Sequence, residues 1–192
     1  MTQTKRPPAN PGRFRAQTGL IPKSNPRLPP QAGQGLPQAD QEFLKKAVRF
    51  NALQLEAATI AAEKAQSEQV KQLAATLVND HRSELKRIRE LAESRSVILD
   101  NDEADPLQRQ SVEDLKGVGG GDFDRDYIAV ELDLHRRIVE LYQTQASNST
   151  DTGLASFAIT SLVPIQKHFD HVQALGAERG LTIDRVKQPP QY

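Results

Sequence analysis

The sequence predicts an all-α fold: one bundle of four long helices carrying a proline-rich, basic, disordered N-terminal arm. Three observations predict it. From Asp40 to Ser96 there is neither glycine nor proline, and Ala, Leu, Glu, Lys and Gln, the strong helix formers, dominate. Apolar residues recur at helical spacing in four separate segments. Eight of the twelve prolines lie before residue 40, where no core can form. A length of 192 residues suits one domain.

The arm, residues 1–39, contains no acidic residue, while Lys5, Arg6, Arg13, Arg15, Lys23 and Arg27 are basic. With a net charge of zero overall, the arm is positive and the remainder correspondingly negative. It reads as a tether or as a contact for an anionic surface or partner.

The bundle proper is expected over residues 40–180. Helix 1, about 41–65, opens at Asp40 and presents Leu44, Ala47, Val48, Leu55, Ala58 and Ala62 on one face. A tight turn with Ser67 as N-cap leads into helix 2, about 68–97, so the two form an antiparallel hairpin. A long connection follows. It holds a short helix, about 107–115, started by Asp105 and Pro106 and broken by Gly117, Gly119, Gly120 and Gly121. That glycine run lacks the strand, spacing and lysine of a phosphate loop, and reads as a hinge. Helix 3 is expected at about 123–146 and helix 4 at about 152–178, with Pro164 inside helix 4 expected to kink it. Residues 181–192 form a loose tail.

Composition excludes several functions. The absence of cysteine removes disulfides, thiolate metal sites and cysteine nucleophiles. Aromatics make up only 5% of the chain, and Glu84, Lys86, Arg87, Arg89 and Glu90 form a mixed-charge helix surface. Sequence-specific nucleic-acid binding is therefore not expected. No stretch is apolar enough to span a membrane, and Met1 to Asn10 hold no apolar run of a signal peptide. Assembly into a homo-oligomer is compatible with the sequence.

The informative residues are polar ones on the apolar faces. At about 100° per residue, Asn51 falls on the core stripe of helix 1, with Gln54 beside it. His81 falls on that of helix 2, Glu131 and His135 on that of helix 3, and His168 on that of helix 4, with His171 toward its edge. Asn51 and His81 are equidistant from the first turn, and Glu131 and His168 from the second, with His135 one helical turn away. These groups are expected to converge near mid-bundle. Two readings stay open. His81, His135 and His168, with Glu131 as ligand or orienter and Asn51 and Gln54 in support, would bind a small ligand or a transition metal such as Zn, Cu, Fe or Ni. Alternatively the same groups form a hydrogen-bond network that only fixes helix register. The residues three before each core histidine are Val78, Leu132 and Ile165. The Glu-x-x-His pairs of a di-iron carboxylate centre are therefore absent. No hydrolytic motif is complete, so an enzyme is the weakest reading.

The segments FLKKAVRFN, IAAEKAQSEQVKQLAATLVNDHRSELKRI, FDRDYI with ELDLH, and LVPIQKHFDHVQAL resemble the domain-of-unknown-function 4142 family, over about residues 40–175. The resemblance implies a ferritin-like four-helix bundle of bacterial origin, mostly exported to the periplasm or outer membrane. Periplasm or cell envelope is thus the expected location, with cytoplasm the alternative because no leader is visible. The shared pattern comprises Asp80–His81, Phe123–Asp124 with Tyr127, His135, and Pro164 with His168. Where the family often has glutamate this chain has Gln54, which departs from a carboxylate-rich metal site.

Overall fold

A computed structural model describes residues 35–99 and 105–181. Most of the arm and of the tail lie outside the described residues. The regular structure described is entirely helical: α1 (Gln38–Lys64), α2 (Glu68–Ser94), α3 (Pro106–Gly117), a single 3-10 turn at Gly120–Asp122, α4 (Phe123–Asn148) and α5 (Thr152–Glu178). None of these helices is long and apolar enough to cross a membrane.

Helix ends follow local chemistry. Ser67 caps α2 by accepting from the Val70 N–H at 3.2 Å, and Asp151 caps α5 through Leu154 N–H at 2.9 Å. At α1 the N-cap position is Pro37. Asp40 sits inside the first turn instead, buried, where it accepts from Gln145 of α4 at 2.7 Å. The α5 helix stops where Gly180 adopts φ 68°, a conformation glycine enters without strain, and Leu181 N–H reaches back to Gly176 O at 2.9 Å. Pro164 does not interrupt α5, which runs as one helix from Thr152 to Glu178.

Two side-chain contacts fix the topology. Asp124, at the start of α4, accepts from the backbone N–H groups of Gln66 and Ser67 in the α1–α2 turn, at 2.8 and 2.7 Å. Arg95, at the end of α2, makes a bidentate pair with Asp151 in the α4–α5 turn, at 3.0 and 3.1 Å. Helices α2 and α4 therefore run in the same direction, and the long connection crosses the full length of the bundle. This is the single-crossover arrangement of ferritin-like folds. The connection carries α3, which buries Val112 and Leu115 in the common core. Lys64 closes its C-terminal end by donating to the carbonyls of Leu115 and Lys116.

Packing is uneven around the bundle. The α1–α2 and α4–α5 hairpins pack along their whole lengths, and α1 lies against α4, whereas α2 and α5 touch only sparsely. Gly176 allows one close approach: a Cβ there would lie 3.1 Å from Leu132 Cδ1. The gap between α2 and α5 is the weak side of the bundle.

Candidate metal centre

His81 from α2, His135 from α4 and His168 from α5 meet in one buried layer. Their relative exposures are 2%, 0% and 8%. The ring centroids are separated by 5.9, 5.7 and 5.9 Å, close to an equilateral triangle. Each ring offers one nitrogen that lies within 4.8 Å of those of the other two.

The sequence places His168 level with Glu131 and His135 one turn away. In the structure it is His135 that joins His168. Helical side chains lean toward their own N-terminus. On the antiparallel α4 and α5 they lean in opposite senses, which closes the offset between the two backbones.

One nitrogen of each histidine is tied to an acceptor. Asn51 donates to the Ala47 carbonyl at 2.8 Å, which leaves its own oxygen to accept from His81 Nδ1, also at 2.8 Å. His168 Nε2 donates to Asp80 Oδ2 at 2.8 Å. His135 Nδ1 donates to the Glu131 carbonyl at 3.0 Å, and the fully buried Glu131 carboxylate lies 3.1 Å from the same nitrogen. Gln54 Nε2 is also placed 3.1 Å from it, with the amide oxygen left unpartnered. Since that nitrogen carries the proton, the amide oxygen is the end suited to face it. Each contact fixes a tautomer, so the remaining nitrogens, His81 Nε2, His135 Nε2 and His168 Nδ1, are bare lone pairs. All three are buried without a hydrogen-bond partner.

Electrostatics disfavour the charged forms of His81 and His168. Burial, then the proximity of His135 and His168, holds His81 well below the usual imidazole range. Burial and His135 also lower His168, against the opposing pull of Asp80. Tyr127, one turn before Glu131 on α4, has its hydroxyl pushed well up by burial and by the Glu131 carboxylate, so it remains a phenol.

A polar chain leads outward from Asn51. Its amide nitrogen is 3.4 Å from the Tyr142 hydroxyl, which donates to Glu84 Oε1 at 3.2 Å. Arg87 Nη1 holds the other oxygen of Glu84 at 2.7 Å while its guanidinium lies over the Phe157 ring. Beside this chain a cavity of about 180 Å³ opens between α2 and α5. His81, Glu84 and Arg87 line one wall, and Ser161, Pro164 and His168 the other.

The structure thus brings His81, His135 and His168 together, with Asn51, Gln54 and Glu131 behind them. His171 stays exposed. Glu84, read from sequence as part of a charged surface, is buried at 9% and belongs to the polar chain. Its spacing of three from His81 places it on the same face, a signal available in the sequence. Asp80, adjacent to His81, points to the neighbouring helix, and only the α2–α5 contact shows that His168 is its partner. Tyr142 carried no polar signal because its position reads as apolar core.

The model of a family described as a domain of unknown function, DUF4142, matches residues 25–175. Among solved structures the chain is similar to a DUF305 fragment from Deinococcus radiodurans, with TM-score 0.68, 12% identity, and 76% of this chain and 99% of that chain covered. It is similar to a DUF305 protein from Streptomyces coelicolor, with TM-score 0.65, 16% identity, and coverage of 75% and 94%. It is similar also to CopM in its Cu(II)-bound form, with TM-score 0.62, 16% identity, and coverage of 73% and 97%. Likeness at such identities speaks for the fold alone. No curated protein shows significant sequence similarity.

Proposed function

The chain belongs to the DUF4142 family, and we propose that it is a non-catalytic bundle binding one divalent transition-metal ion at His81, His135 and His168. The observation that carries this reading is the trio of buried, unpartnered nitrogens in one layer. Each unsatisfied buried polar atom costs about 1–3 kcal/mol. Three of them amount to a sizeable share of the roughly 5–15 kcal/mol by which a domain is stable. One water has two protons to give and can serve only two of three lone pairs. A cation takes all three at once.

The donors and their surroundings fit such an ion. Metal–imidazole bonds of about 2.0–2.1 Å place tetrahedral nitrogens about 3.4 Å apart, a small contraction from the spacing within 4.8 Å. Each ligand's second nitrogen is held by a carboxylate, a carbonyl or an amide oxygen, the usual means of aiming a metal-binding histidine. The carboxylates of Asp80 and Glu131 balance the two charges of a divalent ion, while Glu84 is paired with Arg87. Glu131 acts here as an orienter of His135. Imidazole donors suit Zn, Cu, Ni and Fe, and the Cu(II)-bound state of the similar CopM makes Cu(II) the first ion to test.

The competing reading, a module whose histidines only set register, accounts for the back-side hydrogen bonds but leaves the three lone pairs unserved. Elemental analysis of untagged protein, with and without His81→Ala plus His168→Ala, separates the two. Near one ion per chain lost in the double variant, and a melting shift on adding Cu(II), is the expected result. At a free-ion level of about 100 Kd, binding stabilises by about 2.7 kcal/mol. No binding and no melting shift overturns the metal site. We also place the protein in the cell envelope, which the family resemblance and the assignment of the Streptomyces relative as secreted support. Fractionation of cells tests that placement.

A further inference from the structure

We infer that the metal centre is coordinatively open, and that the cavity between α2 and α5 admits a small exogenous donor, water or a small anion, to the ion's remaining position. This inference rests on the metal site proposed above and specifies what it can do.

Three observations lead to it. Only three donors converge: among the described residues the group whose ligand atoms all lie within 4.8 Å of one another is His81, His135 and His168, with no carboxylate in it. Next, several oxygens around the cluster already have donors. Asn51 Oδ1 accepts from His81, and Asp80 Oδ2 accepts from His168. The two oxygens of Glu84 accept from Tyr142 and Arg87. The Gln54 amide and the Glu131 carboxylate lie against His135 Nδ1 and not against its unpartnered Nε2. The protein donors that converge are thus the three histidine nitrogens, and a tetrahedral ion with three protein ligands keeps its fourth position for water or another ligand.

The third observation is where the opening lies. His81 and His168 both line the α2–α5 cavity, whereas His135 is fully buried behind them with Phe169 stacked on its ring at 6.4 Å. The accessible edge of the triangle is the His81–His168 edge. The space of about 180 Å³ corresponds to about six waters at about 30 Å³ each. That admits a molecule of a few heavy atoms. Ser83 on α2 and Ser161 on α5 also line the cavity, two small side chains on facing helices, the first exposed and the second buried.

The test uses the full chain loaded with Cu(II) and titrated with azide, a small anionic donor with a charge-transfer band when bound to Cu(II). Saturable growth of that band is expected. Ser83→Tyr adds bulk to the cavity wall from an exposed position. It is expected to weaken azide binding about tenfold or more while Cu(II) affinity stays within about twofold. Ser161→Val, a second and internal variant, is expected to act in the same direction. If Cu(II) loads but azide leaves the spectrum unchanged, or binds both variants as well as the parent, the centre is closed or opens elsewhere and the inference falls. If Cu(II) does not load at all, the metal site itself falls and takes this inference with it.

Discussion

Two buried polar regions of this bundle look alike in sequence and differ in what their atoms are given to do. At the α1–α2 turn, Asp124 is 7% exposed and both of its oxygens accept backbone N–H groups, from Gln66 and Ser67. At mid-bundle, three histidines of similar burial each have one nitrogen satisfied and one bare. The first region is a staple: every polar atom is used within the protein, and it locks the start of α4 to the turn. The second has lone pairs in excess. Burial of a polar group therefore does not distinguish structure from site, whereas the completeness of its hydrogen bonding does.

Substitutions at the two regions are expected to separate stability from binding. The largest effect is expected from His168→Leu. It removes a ligand and leaves behind only Asp80, whose side chain is 49% exposed and returns to water at little cost. Metal affinity drops by more than about 100-fold, read by competition with a chelator, while the urea midpoint of the apo-protein stays level or rises. A large loss of apo stability would return the histidines to a structural role.

Asp124→Ala is the converse. Two backbone donors lose their acceptor, and unfolding in urea shows a loss of about 1–3 kcal/mol with metal affinity unchanged. A matching loss of affinity would mean that the two regions are coupled.

Asp80→Asn sharpens the comparison within the site. The ligand itself is kept but the charged acceptor behind it is lost. Affinity is expected to fall about 10–100-fold in calorimetry, without measurable loss of stability. An unchanged affinity would show that His168 needs no orienter.

The smallest effect is on the pH profile. Burial holds the His81 imidazole well below its usual range in the folded state, so the unfolded chain takes up a proton first as pH falls. Apo stability is then full above the unfolded value near 6.5. Below it, stability declines by up to about 1.4 kcal/mol per pH unit for one group and levels off once the folded pKa is passed. His81→Phe, followed by thermal melts from pH 8 to 5, is expected to flatten that decline. An unaltered slope would assign it to other groups.

Much of this was legible in the chain. The absence of glycine and proline from Asp40 to Ser96 leaves the backbone little alternative to helix, and the position of each polar residue on its stripe follows from 3.6 residues per turn. That logic is local, which is why it identified Asn51, His81, Glu131, His135 and His168 as core-facing without a structure. It also failed locally. It says nothing of Asp124 as a staple, because its acceptor role depends on a turn nearly sixty residues away.

The sequence by itself determined the four stripes, the hairpin at Ser67 and the set of polar side chains turned inward, because helical periodicity needs no partner. Only the tertiary structure decided three further things. The connection crosses the bundle, His135 rather than Glu131 stands level with His168, and Asp80 and Glu84 belong to the centre's surroundings. Each depends on how helices are placed against one another, and that is set by packing across the core and by contacts such as Arg95–Asp151 and Asp124 with the α1–α2 turn. The bare nitrogens belong to the same class. A histidine shows its type in the sequence, but which of its nitrogens is left without a partner is fixed only when its neighbours on other helices are in place.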